Sequence, residues 1–253
     1  MNTFTGIIHE PADDYHARSR SGEYLSSHML ADFRKWPALY HGKLTGEIRE
    51  AESAAFVIGR AAHTLILEGR AAFDEQYLIG EPVNPRTGEP FGKTAKAYAE
   101  WAAAQDKEPF SPKEFEFLVK LQAAVWQHPA ASDLLTDGRA EGVVRAEYCG
   151  VKCQIRMDWF NPERGIVDLK TCDDLTWFEA DSRRFGYIAQ LAFYRAVLRM
   201  ILGCHVPVYI VAVEKREPFR SGVWRVSAEA LDFTEQENAA AIARLIACRQ
   251  NGV

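Results

Sequence analysis

The chain has 253 residues, of which 47 % are hydrophobic and 26 % charged, with a formal net charge of −5. That balance is ordinary for a soluble globular protein. It argues against a surface that binds nucleic acid over its whole extent, which needs clustered Lys and Arg, although a local basic groove stays open.

In chain order, residues 1–50 mix turns with a helical piece. Met1-Asn2-Thr3-Phe4 lacks the basic start and apolar core of a signal peptide, and no apolar run approaches the roughly 20 residues of a membrane span. A cytoplasmic location without membrane contact is the expectation. Ser26 or Ser27 caps a helix through Met29, Leu30 and Phe33, which Pro37 ends. A stronger helix runs from Ala54 to Gly69, with Phe56, Gly59, His63, Ile66 and Leu67 at helical spacing. Residues 80–95 carry Pro82, Pro85, Gly88, Pro90 and Gly92 and read as a long loop exposing Arg86 and Lys93. Helices follow around Thr94–Gln105 and Pro112–His128.

Three strands come next, at about Gly142–Cys149, Val151–Phe160 and Ile166–Thr171, with turns at Gly150 and Asn161–Gly165. A helix at Tyr187–Leu202 precedes strands at Val206–Val213 and Val223–Val226. The last helix carries a capping-box signal, Thr234-x-x-Glu237, and an apolar face of Ala241, Ile242, Leu245 and Ile246. This order predicts an α/β fold, a mixed sheet flanked by helices. The cysteines (Cys149, Cys153, Cys172, Cys204, Cys248) are odd in number and contain no Cys-x-x-Cys pair, so neither a zinc site, an iron–sulfur cluster nor a disulfide framework is expected.

The second and third strands place chemistry together. Asp158 and Asp168 are symmetric about Glu163, as are Arg156 and Lys170. In a regular hairpin such pairs lie directly opposite, about 4.5–5.5 Å apart at Cβ, and period-two alternation puts Asp158, Asp168 and Lys170 on one face. Two carboxylates that close repel unless a proton or cation relieves them, and a hard oxygen-seeking cation such as Mg²⁺ does so. A cross-strand salt-bridge cluster on a solvated face is the bland alternative. His63 lies four residues after Gly59 on one helical face and is by itself equally readable as an ordinary half-buried histidine. Glu68, five residues beyond His63, falls about 140° away around an α-helix and is set aside. Tyr187, Gln190 and Tyr194 share one helical face, where the Gln190 amide needs partners among Ile188, Leu191 and Phe193.

Gly59-x3-His63, Asp158, Asp168-Leu169-Lys170 and Gln190-x3-Tyr194, in that order, resemble the PD-(D/E)xK nucleases, and most closely the RecE type, the exonuclease VIII family, related to RecB nuclease domains and lambda exonuclease. The likeness covers about residues 24–213, including Tyr24-Leu25-Ser26-Ser27, Glu141 and the Gly150-Val151-Lys152-Cys153 turn. It implies a restriction-endonuclease-like core in a single domain spanning 1–253. Residues 1–50 are then an N-terminal helical elaboration, 51–215 the core with an inserted loop and helices, and 216–253 a C-terminal strand and helix. It also implies His63, Asp158, Asp168 and the Leu169 carbonyl as metal ligands, for Mg²⁺ or Mn²⁺, with Lys170 acting on the attacking water beside Asp158 and Asp168. Gln190, Tyr194, Tyr187, Arg156 and Glu141 become substrate contacts, the role of Glu141 staying open. No cysteine precedes the histidine, so the likeness is to relatives without an iron–sulfur cluster. The implied activity is exonucleolytic hydrolysis of linear double-stranded DNA, 5′ to 3′, by a ring-shaped homo-oligomer that hands a 3′ strand to a single-strand annealing protein in a phage-type recombination system.

Overall fold

A computed structural model describes residues 6–49 and 53–251. The Met1–Phe4 reading and the boundary expected between residues 50 and 51 lie outside them. Helices α1 (Ala12–Arg20), α2 (Ser27–Lys35) and α3 (Pro37–Leu44) open the chain. Helix α4 (Ala54–His63) passes into a π-helical turn (Thr64–Glu68) and then α5 (Gly69–Gln76). Strands β1 (Tyr77–Ile79) and β2 (Glu108–Phe110) pair in parallel across an excursion that contains α6 (Lys96–Ala103). Helices α7 (Pro112–Gln127) and α8 (Pro129–Leu134) lead to β3 (Arg139–Tyr148), β4 (Val151–Asn161) and β5 (Gly165–Cys172). A 3₁₀ turn (Leu175–Trp177), α9 (Phe178–Arg184), α10 (Tyr187–Leu202), β6 (Val208–Glu214), β7 (Ser221–Arg225) and α11 (Ala228–Asn251) complete it.

The five strands β3 to β7 lie in sequence order, antiparallel except for β5 and β6, which are parallel and joined through α10. Each face of this mixed sheet carries helices, because β5 and β6 are apolar on both sides. Ile166, Val208, Ile210 and Ala212 meet α2, α10 and α11 through Phe33, Leu191, Phe193, Val197, Ile242 and Leu245. Val167, Leu169, Val211 and Val213 meet α4, the π turn and α7 through Ala61, Ala62, Leu65, Leu118 and Val125. No single helix among the described residues is long and apolar enough to cross a membrane. The bent pair Leu175–Arg184 and Tyr187–Leu202 approaches a span in composition, but Leu191 to Leu198 are buried against the sheet and α11.

Several elements differ from expectation for identifiable reasons. Pro37 does not merely end α2; it opens α3, where its missing N–H would have had no partner anyway. The helix through His63 does not stop at Gly69: that residue takes φ 86° and restarts the chain as α5. Thr234-x-x-Glu237 does not cap the last helix, which begins two turns earlier where the Ser227 hydroxyl accepts from the Ala230 N–H at 3.2 Å. The early start brings buried Asn238 against α10, its amide donating to the Ala189 carbonyl at 2.9 Å. Helices α1, α8 and α9 were not foreseen. Helix α1 is held by Gln154 of β4, fully buried, whose amide donates to the Tyr15 carbonyl at 2.7 Å and to Ser19 Oγ at 2.8 Å.

The β4–β5 turn forms as the sequence predicts. Asn161 Oδ1 accepts from the Glu163 and Arg164 amides at 2.8 and 3.0 Å, an Asx turn. Gly165 follows at φ 108°, and a Cβ there would run into the Pro207 carbonyl. Gly165→Ala therefore combines positive-φ strain with a backbone clash. It should lower the folding free energy by about 2 kcal/mol or more, read as a fall in urea midpoint, and an unchanged midpoint would contradict the turn described.

Candidate active site

The register of β4 and β5 pairs Trp159 with Val167, Phe160 with Ile166 and Asn161 with Gly165. Continued by one step it sets Asp158 opposite Asp168, as the sequence predicts, but backbone pairing stops at Trp159 and Val167. The next contact is made by a side chain: Asp158 Oδ2 accepts from the Leu169 N–H at 2.8 Å. Strand β4 also rolls there. Met157 and Phe160, three residues apart, pack into the same core layer, so strict alternation breaks at Asp158. Across the β3 ladder, pairing skips from Ala140–Trp159 to Gly142–Met157. The skipped residue, Glu141, takes φ 55°. A non-glycine residue in that region is strained, and such positions cluster where a side chain must be aimed.

The consequence is a compact donor group. His63, Glu141 and Asp158 each present a ligand atom, all within 4.8 Å of one another. His63 is the last residue of α4, its Nδ1 3.5 Å from Asp158 Oδ2. Burial pushes its imidazole below the usual range, against the pull of Asp158, which leaves it neutral, the form that ligates. Burial pushes the Glu141 carboxyl up to about 8 despite Arg156, whose Nε lies 2.9 Å from Oε2. Arg156 thus faces Glu141 rather than pairing across to Lys170.

Asp168 is 1 % exposed, and neither carboxylate oxygen has a hydrogen bond of good geometry. Lys170 Nζ sits 2.6 Å from its Oδ2. Burial pushes the Asp168 carboxyl up to about 7, the Lys170 charge opposing and the Asp158 charge adding. Burial works against the Lys170 ammonium too, but Asp168 and Asp158 outweigh it and hold it charged. Its Nζ lies over the Tyr187 ring at 4.9 Å. Gln190 and Tyr194 share a face of α10, and the amide finds its partner in the Tyr194 hydroxyl at 3.1 Å. Tyr194 is buried, which raises its phenol well above the usual range, and the charges of Asp158 and Asp168 reach it.

Buried carboxylate oxygens without partners, beside a neutral imidazole and two further carboxylates, fit a hard divalent cation. Asp168 stands next to the compact trio rather than inside it. Leu169 presents its N–H to Asp158, and its carbonyl lies against the His63 ring. Gly59 leaves less unfilled space than expected: an added Cβ would meet only Thr171 Oγ1, at an ordinary 3.8 Å. Glu68 was set aside on α-helical geometry, yet its charge reaches Glu141, and that of Arg156 reaches Glu68. The intervening turn is π-helical, so a residue five along returns toward the same side. No sequence signal marks that widening. A second donor group, His205, Asp232 and Glu235, is mostly exposed and already satisfied by Arg195 and Arg199.

Comparison with known proteins places this arrangement. No curated protein matches the chain. A crystal structure described as that of a "Putative exonuclease" from Eubacterium rectale superposes with a TM-score of 0.72 at 18 % identity, covering 97 % of this chain and 88 % of that one. At that identity the likeness is one of fold. Residues 26–253 match the family described as "PDDEXK-like domain of unknown function (DUF3799)". With the mixed sheet and the acidic hairpin in place, the chain belongs to that PDDEXK-like family and has the PD-(D/E)xK nuclease fold.

Proposed function

We propose that the protein is a divalent-metal-dependent exodeoxyribonuclease that hydrolyses linear double-stranded DNA. The observation that carries this reading is the gathering of His63, Glu141 and Asp158 within 4.8 Å beside the buried Asp168–Lys170 pair. The description of the Eubacterium rectale protein as an exonuclease supports the exonucleolytic form.

In this reading His63, Asp158 and Asp168 hold the cation, Mg²⁺ with Mn²⁺ as a substitute, and the Leu169 carbonyl faces it. Glu141 joins the ligands instead of contacting substrate. Such a cation polarises a phosphoryl oxygen and makes water nucleophilic at neutral pH. Lys170, held protonated, serves as a donor: it orients the attacking water and stabilises negative charge on the phosphate. Tyr187 buttresses the ammonium, and the Gln190–Tyr194 pair offers an amide and a phenol to the phosphate flanking the scissile bond. Arg156 keeps Glu141 aimed, beside the strand entry. Polarity from 5′ to 3′, a ring-shaped homo-oligomer and transfer of the 3′ strand to an annealing protein rest on the resemblance to RecE-type enzymes.

The test is a time course with Mg²⁺ on linear duplexes labelled at the 5′ or 3′ end, with blunt and recessed ends, alongside closed circular DNA. Early release of 5′-labelled mononucleotides with the circle intact is expected. Nicking of the circle would replace the exonuclease by an endonuclease, and binding without degradation would leave a non-catalytic end-binding protein.

A further inference from the structure

The junction of α9 and α10 carries side chains that the site above does not use. Helix α9 ends in Arg183 and Arg184, Phe185 follows, and Gly186 turns at φ 74° into α10. Both arginines are exposed, and neither has an ion pair or hydrogen bond among the described residues. Phe185 is 57 % exposed, an unusual position for a large ring. Its ring lies 5.9 Å from that of Tyr187 at 32°. The Arg184 guanidinium sits over Phe185 at 5.3 Å, and Tyr187 in turn carries Lys170 Nζ at 4.9 Å. Ammonium, ring, ring and guanidinium therefore form one continuous row from the buried Asp168–Lys170 pair out to solvent.

Resting on the nuclease reading, we propose that this row guides a single unpaired nucleic-acid strand into the site, with Phe185 as a base-stacking platform and Arg183 and Arg184 as phosphate contacts. An exposed aromatic ring beside free guanidinium groups is the combination that single strands recognise, since every base has a π-face. A duplex keeps its bases stacked on one another, so the row selects a frayed end or a strand already unpaired. The exposed contact of Arg184 on Phe185 is weaker than a base–aromatic stack. A base displaces the guanidinium, which is then free to reach a phosphate. Glu179 and Asp181, earlier on α9, repel phosphates and bound the row on that side.

The test compares wild type with Phe185→Ala, Phe185→Tyr and the double variant Arg183→Ala/Arg184→Ala. Substrates are a single-stranded oligothymidylate and the p-nitrophenyl ester of thymidine 5′-phosphate, which lacks neighbouring bases. Phe185→Ala should raise KM for the oligonucleotide about tenfold, with kcat and ester hydrolysis unchanged, and Phe185→Tyr should restore it. The double variant should lower the slope of log KM against log salt by about one. Phe233→Ala is the control, an equally exposed ring beside Asp232, which pairs with Arg195 two turns further along α10. An unchanged KM in Phe185→Ala overturns the proposal, as does an equal loss on the small ester, which would mean a structural role through Tyr187. Binding of oligothymidylate in Ca²⁺, read by fluorescence anisotropy, tests the row apart from hydrolysis. If wild type cleaves neither substrate, the nuclease reading fails, and the row still stands or falls on whether Phe185→Ala weakens that binding.

Discussion

Lys170→Ala and Asp158→Asn should each lower hydrolysis of linear DNA by about 10³-fold or more, while folding and DNA binding in Ca²⁺ are retained. Removing a preorganised donor aimed at developing phosphate charge typically costs a factor of hundreds to thousands, and removing a metal-site carboxylate costs at least as much. Lys170→Ala is tolerable structurally because the carboxyl it leaves behind already titrates at about 7. Asp168 can take up a proton near neutrality rather than remain as an isolated buried charge. Asp158→Asn keeps the oxygen that accepts from the Leu169 N–H, so the hairpin link survives. The readouts are initial rates on end-labelled duplex, melting temperature, and anisotropy of labelled DNA in Ca²⁺. Near wild-type turnover in either variant would remove these residues from the proposed chemistry.

In the absence of divalent cation, thermal stability should fall as the pH rises from about 6.5 to about 8, and Mg²⁺ should restore it. Asp168 is raised from 3.8 to about 7 and Glu141 from 4.5 to about 8, each chiefly by burial. A carboxyl with a raised folded-state pKa binds its proton more tightly folded than unfolded. Its contribution is full below the unfolded value and is lost as the pH climbs through the folded one. Below about 6.5 the histidines act oppositely, since burial lowers His63 and takes His16 down to about 4. Lys170, raised, changes nothing until far above this range. The clean window is therefore 6.5 to 8, where the two carboxyls together are worth on the order of a few kcal/mol. Calorimetric scans in EDTA at those two values measure it, and Asp168→Asn should flatten the slope. A melting temperature that rises across the window in EDTA would contradict the burial described here.

Much of this arrangement was readable from residue spacing, and the misses have physical causes. Helix α10 came out at Tyr187–Leu202 because one buried stripe runs its full length. The turn at Asn161–Gly165 was legible because an Asx side chain and a positive-φ glycine are local requirements. The start of α11 was not, because Thr234 and Glu237 imitate a cap while the helix gains more by extending back to Ser227 and docking Asn238 on α10. The pairing of Arg156 was misplaced because period-two alternation assumes an unbroken strand, whereas β4 rolls at Asp158 opposite a strained Glu141. Glu68 was lost to a π turn, whose extra residue is a tertiary choice rather than a local propensity.

The early end of the β4–β5 ladder has a larger effect than one missing backbone bond. An intact sheet is a wall: helices packed on its opposite faces stand about 10 Å from its plane, and their side chains do not meet through it. Where β4 and β5 part below Trp159 and Val167, the wall forks. Through that fork His63, from the layer on one side, reaches Asp158, and the charges of Asp158 and Asp168 reach Tyr194 in the layer on the other. The two hydrophobic layers, otherwise independent, share a single polar doorway. A phosphodiester entering it is gripped from both sides of the sheet at once.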